Sequence, residues 1–239
     1  MFGVEHGMGV AYLHRNGSLL RARPSLRALG SDDIDRLCAD GRVETIARRS
    51  VVPLDGATVV IVMDGYFRIF RHAAFVRDVT LGLAACGDVL APGAAFGDRA
   101  AETGAEALCE GRVLLVGPDA WHRCAALEPE LNLKLAASVG RRITRLQKKL
   151  EEFSRGGVEG RVASALLELA LDYGTPVAGG IKLDVPLSQE DLARLAGTTR
   201  ETCSSMVAEF ARRGFVRGGR VRGMVVADSA GLAEIARFD

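Results

Sequence analysis

Arg200, Glu201, Ser204 and Ser205 fall on the outward face of one predicted helix, and together they carry the chemistry for reading nucleic-acid base edges. An arginine fork matches guanine, a glutamate accepts from the cytosine amino group, and a serine adapts to either. The helix is predicted from Cys203, Met206, Val207 and Phe210, which recur at i, i+3, i+4 and i+7 and so share a buried face. Glu201, Ser204, Ser205 and Ala208 then point away from it, with Arg200 at the border, where a long side chain still reaches across.

A short upstream helix must hold this one in place. Ser188 is a good N-cap and Asp191 can close a capping box with it. Leu192, Leu195 and Ala196 turn inward, and Ala193 is small enough to let a second helix cross closely. Gly197 stands where a left-handed helix end costs least. Thr198 or Thr199 can cap the second helix. After it, Arg217-Gly218-Gly219-Arg220 reads as a two-glycine hairpin with Met224–Val226 as the return strand. The layout over Leu187–Arg222 is that of a winged helix-turn-helix. Ser188, Gln189 and Thr199 are expected to meet phosphates at helix N-termini, and Arg217 and Arg220 to add backbone contacts from the wing. The alternative is an ordinary amphipathic helix pair, which leaves the capping, the crossing alanine and the wing as coincidences.

The chain has 239 residues, 48% hydrophobic, with a formal net charge of +1. Nucleic-acid contact therefore needs local clustering rather than a global positive field. Arg194, Arg200, Arg212, Arg213, Arg217, Arg220 and Arg222 supply it within one short segment. No apolar run of about eighteen residues marks a membrane span, and the charged N-terminal stretch does not read as a signal peptide. The five cysteines, Cys38, Cys86, Cys109, Cys124 and Cys203, form no CxxC pair. An odd number without a framework fits a reduced, cytoplasmic protein.

Residues 1–24 read as a Gly- and Arg-rich arm, and Ser31–Cys38 as a short capped helix. Short β-rich runs follow from Val43 to Val116, among them Val59–Met63, Tyr66–Phe70, Val76–Leu83 and Gly111–Val116. Asp64-Gly65 between two such runs is a hairpin signal, and Cys86-Gly87-Asp88 is a turn. The spacing predicts a small antiparallel barrel or jelly roll. A long helix is predicted from Pro129 to Phe153. Its apolar positions Leu131, Leu135, Val139, Ile143, Leu146, Leu150 and Phe153 resemble a coiled-coil seam, read here as the dimer helix. Packing on its own barrel is the alternative. Gly156-Gly157 predicts a hinge, Val158–Tyr173 another helix, and Ile181–Val185 a strand leading into the helix-turn-helix.

Barrel, long helix, glycine hinge and winged helix-turn-helix, in that order, resemble the Crp/Fnr family of bacterial transcription regulators over roughly residues 30–235. The closest likeness lies in TTRETCSSM (Thr198–Met206), near the family's recognition-helix motif, and in Asp64-Gly65 and Gly87-Asp88, which match its barrel turns. The resemblance implies a homodimer that binds palindromic duplex DNA near promoters and meets RNA polymerase, with a small-molecule effector perceived in the barrel. Arg200 and Glu201 match the family's base-reading pair, whereas Ser205 stands where many members carry a second arginine.

The same resemblance bears on the effector. Members that bind cyclic AMP carry a Gly-Glu pair and an Arg-Ser pair in a phosphate cassette; here Pro92 stands about where the glutamate would be, and Thr103-Gly104 about where Arg-Ser would be. The candidate effector pocket comprises Pro92, Gly93, Phe96 and Arg99 with Leu146 and Gln147 of the long helix. No cyclic-AMP response is expected. An iron–sulfur cluster needs grouped N-terminal cysteines, and Cys38 stands alone before Cys86. Haem is the remaining cofactor reading, with Cys86, His72, His6 and His14 as candidate ligands, against the plainer role of a core cysteine and surface histidines.

An enzyme would need a nucleophile elbow, a phosphate-cradling glycine loop or a positioned acid–base pair, and none is legible. A sensor module without DNA binding would leave the arginine-rich wing unexplained. The expectation is an α+β chain with three parts. Residues 1–128 form the arm and a cupin-like antiparallel barrel, 129–155 the dimerisation helix, and 156–239 the winged helix-turn-helix.

Overall fold

In the computed structural model the described residues are 29–54, 58–73, 76–96, 103–155 and 157–236. Val59–Asp64 is a nearly unbroken run of β-branched residues, and it forms a strand covered on both faces. The N-terminal elements are α1 (Ser31–Cys38), β1 (Arg42–Ile46), β2 (Val51–Pro53), β3 (Val59–Asp64), β4 (Tyr66–Ala73) and β5 (Val76–Ala85). A 3-10 turn (Pro92–Phe96) precedes β6 (Thr103–Ala107) and β7 (Gly111–Val116). Two sheets result, one ordered β1-β7-β3 and the other β2-β6-β4-β5. The β1–β7, β3–β7 and β2–β6 pairings are antiparallel.

Asp64-Gly65 is not a hairpin. β3 pairs with β7, whereas β4 lies in the other sheet, so the dipeptide is a corner between sheets. Gly65 takes φ +87 and a Cβ there would stand 2.8 Å from the Gly111 Cα. A register shift between Val62 and Asp64 adds the local bend that lets the chain change sheets. β1, β2 and β6 are harder to read in the sequence, because β1 and β2 are only five and three residues long and β6, TGAEA, has a single β-branched residue.

Two polar assemblies sit within this sheet region and the helices beside it. Lys134 of the long helix donates to both carboxylate oxygens of Asp33 at 2.8 and 2.9 Å, and Asp33 also accepts from the Gly30 N–H at the start of α1. Glu106 on β6 accepts from Arg68 at 2.6 and 3.0 Å and from Arg49 at 2.9 Å. Arg49 holds a left-handed backbone (φ 69) in which its N–H meets the Ala107 carbonyl.

α2 (Pro118–Leu127) and α3 (Glu130–Arg155) follow. Trp121 is fully buried and its Nε1–H donates to Asn132 at 3.1 Å, tying the two helices together. The predicted apolar stripe of α3 is divided between two tasks. Leu131 and Leu135 are 1% and 0% exposed, so they fill the protomer's own core, and Leu135 cannot serve a partner helix. Val139 and Leu146 are half-buried. The outward face is instead Leu133, Ala136, Gly140, Ile143, Gln147 and Leu150, at alternating steps of three and four. Ile143 and Leu150 of the predicted seam lie on it, at 51% and 70% exposure. Phe153, 46% exposed, is turned differently: one edge of its ring lies against Gly197 and its face beneath the Arg161 guanidinium.

The remainder is α4 (Val158–Tyr173), β8 (Gly174–Val177), β9 (Gly180–Leu183), α5 (Gln189–Leu195), α6 (Arg200–Arg212), β10 (Val216–Arg217), β11 (Val225–Val226) and α7 (Ser229–Ala236). A small sheet runs β10-β11-β9-β8. Two compact units emerge: Met1–Ile69 with Leu83–Arg141, and Phe70–Gly82 with Arg142–Asp239. Their boundary on α3 lies at Arg142, earlier than the glycine pair. The reason is a set of links across the α3–α4 break: Arg145 to Asp172 at 3.0 Å, Ser164 to Glu152, and Arg161 over Phe153. In the same unit Lys149 Nζ donates to the Thr80 carbonyl at 3.0 Å.

Candidate nucleic-acid interface

Local rules build this region almost without conflict. Ser188 caps α5: its Oγ accepts from the Asp191 N–H at 3.2 Å, while its N–H and hydroxyl donate to Asp191 Oδ2 at 2.8 and 2.6 Å. Asp191 is 1% exposed, so the box is an interior feature. Leu192, Ala193 and Ala196 are buried beneath it. Gly197 ends the helix at φ +60. Thr199, rather than Thr198, caps α6 by accepting from the Thr202 N–H at 3.2 Å. Cys203, Val207 and Phe210 are buried as expected, and burial pushes the Cys203 thiol up to about 11.

The outward face of α6 carries the four expected side chains. Arg200, Glu201 and Ser205 are exposed and Ser204 is half-buried. Three arginines of the two helices are matched by acids: Arg194 by Glu190, Arg212 by Glu209, and Arg213 by Glu159. Arg200 has no such partner among the described residues. It is therefore poised to meet an external acceptor without first breaking an internal bond.

The backbone-contact residues divide differently. Both donors of Ser188 are committed to Asp191, so its role is to fix the helix start rather than to donate to phosphate. Gln189 Nε2 donates to the Gly219 carbonyl at 3.0 Å. Arg217 Nη2 donates to the Gly179 carbonyl at 2.7 Å, which ties the wing to the β8–β9 turn. Arg220 is exposed, and so is Arg222, a second outward wing arginine beyond the expected pair. Val221 between them is 1% exposed and Met224 0%, so the wing is pinned at its middle while its arginines face outward. Val216↔Val226 and Arg217↔Val225 pair as its strands, and the loop between is longer than a two-residue hairpin. Alternation across Val221 would have singled out Arg222.

Effector and cofactor candidates are placed as follows. Pro92, Gly93 and Phe96 lie in the 3-10 turn, with Phe96 64% exposed. His122 Nε2 lies 2.8 Å from the Ala95 carbonyl and holds that turn against α2. Leu146 is half-buried and Gln147 exposed on α3. Arg99, His6 and His14 lie outside the described residues. Cys86 is half-buried beside the Gly87 turn, and His72 Nδ1 lies 3.0 Å from Asp78 Oδ1. Among the described residues no group of three His, Cys, Asp or Glu is arranged to hold a metal ion.

Residues 160–235 match the model of the Crp-like helix-turn-helix domain. A CRP-like cAMP-activated global transcriptional regulator of Mycobacterium tuberculosis is 31% identical over 182 residues, spanning 76% of this chain and 81% of that protein. The chain belongs to the Crp/Fnr family. FixK2 from Bradyrhizobium japonicum shares the fold with a TM-score of 0.69 at 21% identity, over 83% of this chain and 98% of that one. A CRP-family regulator of Thermus thermophilus gives 0.65 at 25% identity, over 81% and 96%. As a Crp/Fnr-type regulator, the chain carries its helix-turn-helix DNA-binding domain at the C-terminal end, after antiparallel sheets and a long helix.

Proposed function

We propose that this Crp/Fnr regulator is a homodimer that reads a palindromic duplex, with Arg200 and Glu201 of each α6 on base edges in successive major grooves. The observation that carries the reading is Arg200: exposed in the first turn of α6, and without an acidic partner where Arg194, Arg212 and Arg213 each have one. Ser204 and Ser205 complete the reading face. Thr199 with the first N–H groups of α6, and Arg220 and Arg222 on the wing, meet phosphates. Two α6 helices must stand about 34 Å apart to reach two half-sites. The exposed heptad face Leu133, Ala136, Gly140, Ile143, Gln147, Leu150 supports pairing of two α3 helices. A Cβ at Gly140 would meet nothing within 4 Å, leaving room for a close helix approach. RNA polymerase is the further partner, and the compartment is the cytoplasm, where the DNA is.

The Mycobacterium tuberculosis relative is described as cAMP-activated. By the family resemblance, Pro92 stands about where the ribose-holding glutamate would be, and Thr103-Gly104 about where the phosphate-holding arginine and serine would be. The effector is accordingly a molecule other than cyclic AMP, and calorimetric titration with cyclic AMP should give no heat of binding. Micromolar binding overturns that choice. The DNA reading is tested by selecting duplexes from a random pool with the full chain and measuring retardation across salt concentrations. Enrichment of a palindrome, with salt-dependent binding, is the expected result; a pool without a common sequence removes it.

A further inference from the structure

The wing tip contains two adjacent glycines, Gly218 and Gly219, immediately before Arg220. Glycine pairs are the least conformationally restricted segment a chain can have. Gly218 takes φ +98, and a Cβ at Gly219 would meet nothing within 4 Å, so packing does not hold Gly219 itself; the nearest packed side chain ahead of it is Val221, 1% exposed. A side chain holds it instead. Gln189 Nε2 donates to the Gly219 carbonyl, and Gln189 is itself the first residue of α5, immobilised by the buried Ser188–Asp191 box beside it.

We propose that Gln189 is a positioning residue for DNA binding: it fixes the wing so that Arg220 is presented to a phosphate, and does not itself carry the phosphate contact. The connection runs from the capping box to Gln189, from Gln189 to Gly219, and from Gly219 to Arg220. Arg217 restrains the base of the same hairpin through Gly179 and buried Val221 restrains its middle, which leaves Gln189 to restrain the glycine pair between them. This inference rests on the wing–phosphate contact proposed above.

The test uses the full chain with Gln189→Met, which keeps the side chain's length and removes the donor, with Arg220→Ala, and with the double variant. In the free protein, NMR relaxation should show lower backbone order at positions 218–220 in both variants that carry Gln189→Met and unchanged order in Arg220→Ala. On a selected duplex, Arg220→Ala should reduce the slope of log affinity against log salt by about 0.9 per protomer, one phosphate contact. Gln189→Met should lower affinity about 5-fold and reduce the slope as well, although glutamine has no charge, because it disengages Arg220. In the Arg220→Ala background it should add nothing. A loss that persists in that background with an unchanged slope makes Gln189 a direct contact and overturns the proposal. Unchanged order in Gln189→Met overturns the restraint itself. An unchanged slope in Arg220→Ala overturns the wing contact on which the proposal rests.

Discussion

Phe153 and Gly197 are matched surfaces: a Cβ on Gly197 would collide with the Cζ–Cε1 edge of the Phe153 ring, and Gly197 also holds φ +60. The last turns of α3 thus rest directly on the turn of the helix-turn-helix. The Arg161 guanidinium covers the ring 5.1 Å from its centroid and its Nε donates to the Ala196 carbonyl at 3.1 Å. A glycine that sequence reading assigns to a helix end is also half of a contact between α3 and the reading head.

Gly197→Ala should therefore cost about 2–4 kcal/mol, combining a left-handed alanine with overpacking. Denaturant unfolding of the full chain measures it. Phe153→Ala in the same chain should recover part of the loss, since the two residues touch and their effects cannot add. Full additivity would show that the ring is not the obstacle.

Leu135 and Leu150 should respond in opposite ways. Leu135→Ala removes a fully buried side chain and should cost about 2–5 kcal/mol of stability without changing the assembly state. Leu150→Asp, at a position 70% exposed, should leave the protomer folded and shift sedimentation from dimer to monomer. A dimer that survives Leu150→Asp and Ile143→Asp together removes the outward face of α3 from the interface.

Acid sensitivity should trace to Glu106. Burial pushes its carboxyl up, but the hydrogen bonds from Arg68 and Arg49, and their charges, outweigh burial and hold it below its ordinary 4.5. The folded state thus binds the proton less readily than the unfolded one. The contribution is fully present above 4.5 and is lost as pH falls through the lower folded-state value. Glu106→Ala should cost about 3 kcal/mol at pH 7, since two guanidiniums lose their carboxylate. Stability measured stepwise below pH 4.5 should decline less steeply in that variant; an identical acid profile contradicts the assignment.

Arg200→Ala and Glu201→Ala should each lose about 1–3 kcal/mol of discrimination at one base pair per half-site. Weaker, salt-sensitive binding to unrelated duplex should remain. Competition between the selected palindrome and single-base variants reads this out. Unchanged selectivity in either variant removes that residue from base reading.

The helix-turn-helix could be read in the chain because everything that specifies it is local. Ser188, Asp191, Gly197 and Thr199 act within one turn of the groups they satisfy, and the period of Cys203, Val207 and Phe210 needs no distant partner. Sheet pairing is different. Asp64-Gly65 has the composition of a hairpin, yet whether β3 turns back on β4 or crosses to β7 depends on Gly111, which lies far along the chain. The same holds for α3. Its sequence determined a long amphipathic helix, but Leu131 and Leu135 were claimed by the protomer's own core, and the outward face fell to Leu133, Gly140 and Ile143. Apolar spacing specifies that a helix has a face; only the surrounding elements decide which side is already covered. Likewise the wing's arginines are visible in sequence, whereas the commitment of Arg217 to Gly179 and Gln189 to Gly219 needed carbonyls that only the tertiary fold brings within hydrogen-bond reach.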